Sequence, residues 1–306
     1  MTIAMLFPGQ GSQSQGMQAD LAAACGEVTD VYAEASGILG YDLWSLVQDG
    51  PAEKLGETVV TQPAMLTAGY AAWRCWKSAG GATPAQVAGH SLGEYTALIA
   101  AESVSFADAL RVVVRRAQLM QSAVPIGEGA VAAILGLDDD AVATVCREAA
   151  NGQVVQAVNF NSPGQVVIAG HTAAVERAID LAKTNGARRA LILPVSAPVH
   201  SSLMREAGES LLETLAQASF GTPAITVVSA SDGEPYGDGD DIRARLSKQV
   251  YSPVQWVKTV QAIIAGGATS VVECGPGKVL AGLMRRIDRG TPAAFIDTNE
   301  SLQKAL

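Results

Sequence analysis

Positive charge, histidine and long apolar runs are all scarce in this 306-residue chain, and each scarcity removes a class of function. With 21 Lys and Arg against 30 Asp and Glu, the net charge is −9, which excludes nonspecific nucleic-acid binding because that needs a positive surface. The strongly apolar stretches are short or interrupted by charge, so none suits a membrane span. Met1 to Phe7 lacks a basic n-region and runs straight into Pro8-Gly9-Gln10-Gly11. It reads as a first strand rather than a signal peptide. Four cysteines (Cys25, Cys75, Cys146, Cys274) lie far apart with no C-x-x-C pair. That spacing fits reduced thiols in a cytoplasmic protein and leaves no zinc site. Neither G-x-x-x-x-G-K-[ST] nor a well-placed G-x-G-x-x-G is present, so a phosphate-cradling loop of those types is excluded.

Hydrophobic residues are plentiful at 48%, and charged ones make up 17%, the balance of a chain with a large buried core. Apolar runs of strand length alternate with helical patterns, which predicts an α/β fold with a mainly parallel sheet. Its expected strands are Ile3–Phe7, Gln86–His90, Ile225–Ser229, Ser270–Cys274 and Ala293–Ile296, with helices such as Gln62–Ser78 and Phe106–Val124 between them. From Ala130 to Val195 the order changes to strand (Ala130–Leu135), helix (Asp138–Ala149), strand (Val154–Asn159), strand (Gln165–Ala169), helix (Thr172–Thr184) and strand (Ala190–Leu193), a β-α-β-β-α-β pattern that is ferredoxin-like. Pro125 to Gly129 and Pro194 to Pro198 look like the two crossings into and out of this unit. The chain is therefore expected to divide into residues 1–126, an inserted unit at 127–195, and residues 196–306. A cleft between the two bodies is a favoured place for a site.

Gly89-His90-Ser91-Leu92-Gly93 supplies the chemistry. It reads G-x-S-x-G, a nucleophile elbow in which a strand turns sharply into a helix. The glycines leave room where strand and helix crowd, and the turn lifts the Ser91 hydroxyl to the positive end of the helix. The backbone N–H of Leu92 would lie beside a developing oxyanion. Serine needs a base, and only three histidines exist. His90 should point away from the side that Ser91 serves, and His171 starts a helix in the small unit. His200 sits in a rigid loop at the domain junction and is the best base. In the helix from Phe106, Arg115 falls on the wet stripe and Arg116 on the apolar one. A buried arginine is either a structural ion pair or a clamp for a carboxylate, and register alone leaves both open. The loop Phe7 to Gln13 can aim a second N–H at an oxyanion, or can be a simple turn.

Five segments, in order, carry a resemblance through nearly the whole chain: Phe7-Pro8-Gly9-Gln10-Gly11-Ser12-Gln13, Gly89-His90-Ser91-Leu92-Gly93-Glu94, Val158-Asn159-Phe160-Asn161-Ser162-Pro163-Gly164-Gln165, Gln249-Val250-Tyr251-Ser252-Pro253-Val254 and Gly275-Pro276-Gly277. Together they resemble the malonyl-CoA:acyl carrier protein transacylases of bacterial fatty-acid synthesis. The resemblance implies an α/β-hydrolase-like core with a ferredoxin-like insertion. It implies Ser91 as nucleophile, His200 as base, Arg116 on the malonyl carboxylate, the amides of Gln10 and Leu92 as oxyanion hole, and Gln249 positioning His200. Malonyl-CoA and an acidic, phosphopantetheinylated carrier protein would be the substrates, with no metal or redox cofactor and a monomeric, cytoplasmic enzyme. Arg188, Arg189, Lys278, Arg285, Arg286 and Arg289 become candidate carrier contacts. One departure stands out: many bacterial members have serine before the base, where this chain has Val199. A serine hydrolase or thioesterase using the same pair is the alternative, as is the transferase subunit of a polyketide or malonate-decarboxylase system.

Overall fold

The structure is a computed structural model that describes residues 2–195 and 197–306. Ser196, where the third expected segment begins, lies outside the described residues. Among the described residues nine strands run in chain order as β1 (Ile3–Phe7), β2 (Gln86–Gly89), β3 (Gly129–Leu135), β4 (Val155–Ser162), β5 (Gln165–His171), β6 (Arg189–Ile192), β7 (Thr226–Val228), β8 (Ser270–Cys274) and β9 (Ala293–Ile296). Five of them form a wholly parallel sheet in the order β7-β2-β1-β8-β9. Helices cover both of its faces, so its central strands are buried along nearly their whole length rather than on alternate residues. Alternation decides which core each side chain joins. Met5, Phe7 and Val87 enter the larger core, while Ala4, Leu6 and Ala88 enter the one on the opposite face.

The other four strands form an antiparallel sheet in the order β4-β5-β3-β6. That is the ferredoxin-like arrangement expected from the β-α-β-β-α-β pattern. Its helices Asp139–Ala149 and Thr172–Thr184 pack on one face with Ala130, Ala132 and Ile134. The other face presents Val131, Val158, Val167 and Ala169, packed with Leu193, Val195 and Val199. This second face turns toward the parallel sheet. Strand β4 is joined to Val254 of the larger body by paired backbone bonds, from Phe160 N–H to Val254 O (2.8 Å) and from Val254 N–H to Val158 O (2.8 Å). The insertion is thereby tied to the larger body.

Two expectations are corrected. The helix expected from Gln62 begins at Thr58, with Pro63 inside its second turn. Pro63 lies past the N-terminal N–H groups that have no helical partner, so its missing N–H removes one bond, to Val59 O, from within the helix. Cys25 and Cys75 form a disulfide, their Cα atoms 6.1 Å apart across 50 residues of sequence, so only Cys146 and Cys274 are free thiols. Packing of the helix Glu27–Leu39 beside Thr58–Ser78 brings the pair together, which spacing along the chain does not reveal. No helix among the described residues is long and apolar enough to cross a membrane.

Candidate active site

Ser91 lies two residues after the end of β2 and two before the helix Gly93–Ala100. Its φ of 52° lies in the left-handed region, the strained turn expected of an elbow. Crowding dictates both flanking glycines. A Cβ on Gly89 would stand 1.9 Å from the Gly93 carbonyl carbon, and one on Gly93 would stand 2.1 Å from the Phe7 carbonyl oxygen. Strand β1 and the new helix therefore touch backbone to backbone, and any side chain would force them apart.

His200 approaches from the second crossing. Its Nε2 lies 2.7 Å from Ser91 Oγ, and its Nδ1 lies 2.8 Å from the backbone oxygen of Gln249. That carbonyl can only accept, so it places the proton on Nδ1 and leaves the Nε2 lone pair facing the serine hydroxyl. Burial, and next the charge of Arg116, hold His200 at a pKa of about 3, far below the ordinary 6.5. It is therefore neutral, and able to take a proton, throughout the physiological range.

Arg116 is buried, with 1% of its surface exposed. Its Nη1 donates to Gln62 Oε1 (2.8 Å), and its Nη2 to Gln249 Oε1 (2.9 Å) and Ser91 Oγ (3.3 Å). Its guanidinium also lies 5.7 Å from the Tyr95 ring centre. Among the described residues no carboxylate is within ion-pair distance of it, which removes the structural ion pair from the two readings left open by register. A desolvated cation with only neutral partners, beside a nucleophile, is a receptor for an anionic substrate end.

These groups line a cavity of about 160 Å³ with Gln10, Leu92, Met120, Val131, Val167, Leu193, Val195 and Val199. Neither the Gln10 nor the Leu92 amide nitrogen has an acceptor among the described residues. Both residues line the cavity that Ser91 borders, the place an oxyanion hole requires. The space is small, polar at one end and walled by valines, so it suits a short acyl group.

All six residues expected from the sequence are brought together here. Others were missed. Gln62 holds Arg116, and Glu94 holds Gln249 through an Nε2 to Oε2 bond of 2.5 Å. Asn161 pairs with His90 Nε2 at 2.8 Å. His90 was expected to point away from the Ser91 side, yet it lines the same cavity with Asn159 and Asn161, because β2 ends at Gly89 and strand alternation no longer governs the residue after it. His171 plays a local part, its Nδ1 accepting from Val154 N–H at 3.0 Å. Among the described residues no cluster of three or more His, Cys, Asp or Glu could hold a metal ion.

An elbow serine, a neutral histidine, two free amides and a buried cation on a parallel sheet define a serine-dependent acyl-transfer protein. The chain belongs to the acyl transferase domain family, which it matches over residues 4–293. It is 53% identical to the malonyl CoA-acyl carrier protein transacylase of Escherichia coli K12, over 99% of this chain and 98% of that protein. The Bacillus subtilis protein of the same name is 42% identical over 99% and 96%. Among solved structures, the acyl-carrier-protein S-malonyltransferase of Burkholderia pseudomallei superposes with a TM-score of 0.97 at 53% identity, covering 100% of this chain and 99% of that one. A malonyl-transacylase solved in complex with a type II PKS acyl-carrier protein superposes with a TM-score of 0.98 at 50% identity, covering 100% and 99%.

Proposed function

We propose that this chain moves a malonyl group from malonyl-CoA to the phosphopantetheine thiol of acyl carrier protein, through a malonyl ester on Ser91. The observation that carries this reading is the 2.7 Å Ser91–His200 contact beside a buried Arg116 with no carboxylate partner. Ser91 Oγ attacks the thioester carbonyl carbon while His200 Nε2 takes its proton. The carbonyl oxygen becomes an oxyanion held by the amides of Gln10 and Leu92. Collapse breaks the C–S bond, and the CoA sulfur leaves with the proton from His200. In the second half the carrier thiol gives its proton to His200 and attacks the ester. The same oxyanion forms, and Ser91 leaves with that proton. Arg116 holds the malonyl carboxylate in both halves, and Gln249 fixes the tautomer of His200.

Acyl exchange of this kind requires no metal or redox cofactor, and the reading carries none. A cytoplasmic monomer acting on fatty-acid intermediates goes with it, as does a division of the chain at residues 126/127 and 195/196. Arg285 and Arg289 lie together near the end of the helix Val279–Ile287, and Arg286 donates to Gln165 Oε1 at 3.0 Å. They form a basic patch suited to an acidic carrier protein.

Intact-mass analysis after mixing with malonyl-CoA tests the reading. One malonyl adduct is expected on the wild type and none on Ser91→Ala. An unmodified wild type would overturn it. An adduct that water removes faster than holo carrier protein does would favour the thioesterase instead.

A further inference from the structure

We propose that Glu94 is the positioning residue that aims Arg116 at the malonyl carboxylate, acting through the side-chain amide of Gln249. The proposal rests on the malonyl-transfer reading of the site. Glu94 opens the elbow helix, three residues after the nucleophile, and none of its surface is exposed. Three donors converge on it: Ala230 N–H (3.0 Å) and Tyr236 O–H (2.9 Å) on Oε1, and Gln249 Nε2 (2.5 Å) on Oε2. Every contact is one that a carboxylate accepts, so the surroundings are built for the ionised form even though burial pushes its pKa up.

The consequence falls on Gln249. Its two amide hydrogens are both committed, one to Glu94 Oε2 and one to Ser91 O (2.8 Å). Its Oε1 is thereby turned toward Arg116 Nη2 at 2.9 Å. A flipped amide would present N–H groups to a guanidinium that can only donate. Glu94 also places a carboxylate near Arg116, behind the neutral Gln249 amide rather than in direct contact. An anion touching the guanidinium would close the receptor. One held a residue away stabilises the buried cation and leaves its outer edge for substrate.

An amide at position 94 cannot satisfy this geometry. Its NH₂ must face either the Gln249 NH₂ or the Ala230 N–H, and the first choice flips Gln249 against Arg116. The measurement is acylation of Ser91 by malonyl-CoA and by acetyl-CoA, with kcat and KM for each, in wild type, Glu94→Gln, Gln249→Leu and the double variant. Glu94→Gln is expected to lower the malonyl-to-acetyl ratio of kcat/KM at least tenfold, mainly through a higher KM for malonyl-CoA. In the Gln249→Leu background the same change should leave that ratio unaltered, because the route to Arg116 is already cut. Glu94→Asp, which keeps the charge, should hold the ratio within threefold, and if Glu94→Gln does not fold, Glu94→Ala takes its place in the cycle with the same fall in ratio expected, again absent in the Gln249→Leu background. Equal losses on both substrates, or the same fall in ratio with and without Gln249, would overturn the proposal and leave Glu94 a fold residue. A wild type that takes up no malonyl group would instead overturn the reading of the site itself.

Discussion

Ser91 and His200 meet at 2.7 Å with both backbones in the left-handed region, at φ 52° and φ 62°. Neither is glycine, so each strained residue is held by its surroundings rather than by its own preference. For Ser91 the holders are β1 and the elbow helix, packed so closely at Gly89 and Gly93 that the turn cannot relax. For His200 they are the bond from its N–H to Val250 O (3.2 Å) and the bond at Nδ1 to Gln249 O. The loop after Gln249 therefore fixes both the path and the ring of the histidine. Strain of this kind gives two side chains one fixed mutual geometry, which a proton transfer needs.

The Ser91 strain should be visible as stability. Ser91→Ala and Ser91→Gly both remove the hydroxyl and both abolish acyl transfer, so their difference isolates the backbone. Glycine adopts φ 52° without a Cβ penalty, and the glycine variant should be the more stable by about 1 kcal/mol. For a chain of this length that corresponds to a Tm about 2 °C higher. Calorimetry of the two proteins decides it; an alanine variant as stable as the glycine variant would mean that the turn carries no strain.

The pH dependence follows from the neutral histidine. A base must be unprotonated to act, and an ordinary histidine would lose half its activity near pH 6.5. Burial and the neighbouring Arg116 charge depress His200 to about 3, so the neutral form persists as the pH falls. The rate of Ser91 acylation should be nearly flat from pH 7 down to pH 5 in stopped-flow measurements of kcat/KM. A bound malonyl carboxylate offsets the Arg116 charge and so raises the histidine pKa. The acid limb of the kcat profile, which reports the loaded enzyme, should accordingly lie at higher pH than that of kcat/KM. Coincident limbs, or a half-loss of kcat/KM at pH 6.5, would count against this electrostatic picture.

Much of this architecture is legible in the sequence because it rests on local rules. Period and run length separate the parallel strands from the inserted β-α-β-β-α-β unit, and observed strand bounds differ from expectation by at most three residues, as at the end of β4. Helical register alone distinguishes buried Arg116 from its wet neighbour Arg115. What escapes is whatever depends on distant pairing. Gln62 reaches Arg116 across 54 positions, and Gln249 reaches Glu94 across 155. Neither has a periodic or motif signature of its own. The His90 direction was misjudged because it assumed a strand reaching residue 90, whereas β2 ends at Gly89. The Cys25–Cys75 pair is hidden for the same reason, since helix packing and not spacing unites it.

Arg116 gives the sharpest test of substrate choice. A guanidinium that meets a carboxylate with two charge-assisted hydrogen bonds stabilises it by about 3 kcal/mol, or roughly a hundredfold in binding. Arg116→Ala should therefore lower kcat/KM for malonyl-CoA about a hundredfold. It should leave acetyl-CoA, which has no carboxylate to hold, within a few-fold of the wild type. Arg116→Lys separates charge from shape. An ammonium keeps the cation but cannot bridge Gln62, Gln249 and a carboxylate at once, so malonyl transfer should recover only in part. Equal losses on the two substrates in the alanine variant would place Arg116 in the scaffold. Full activity of the lysine variant would show that a point charge, and not the planar fork, selects the malonyl group.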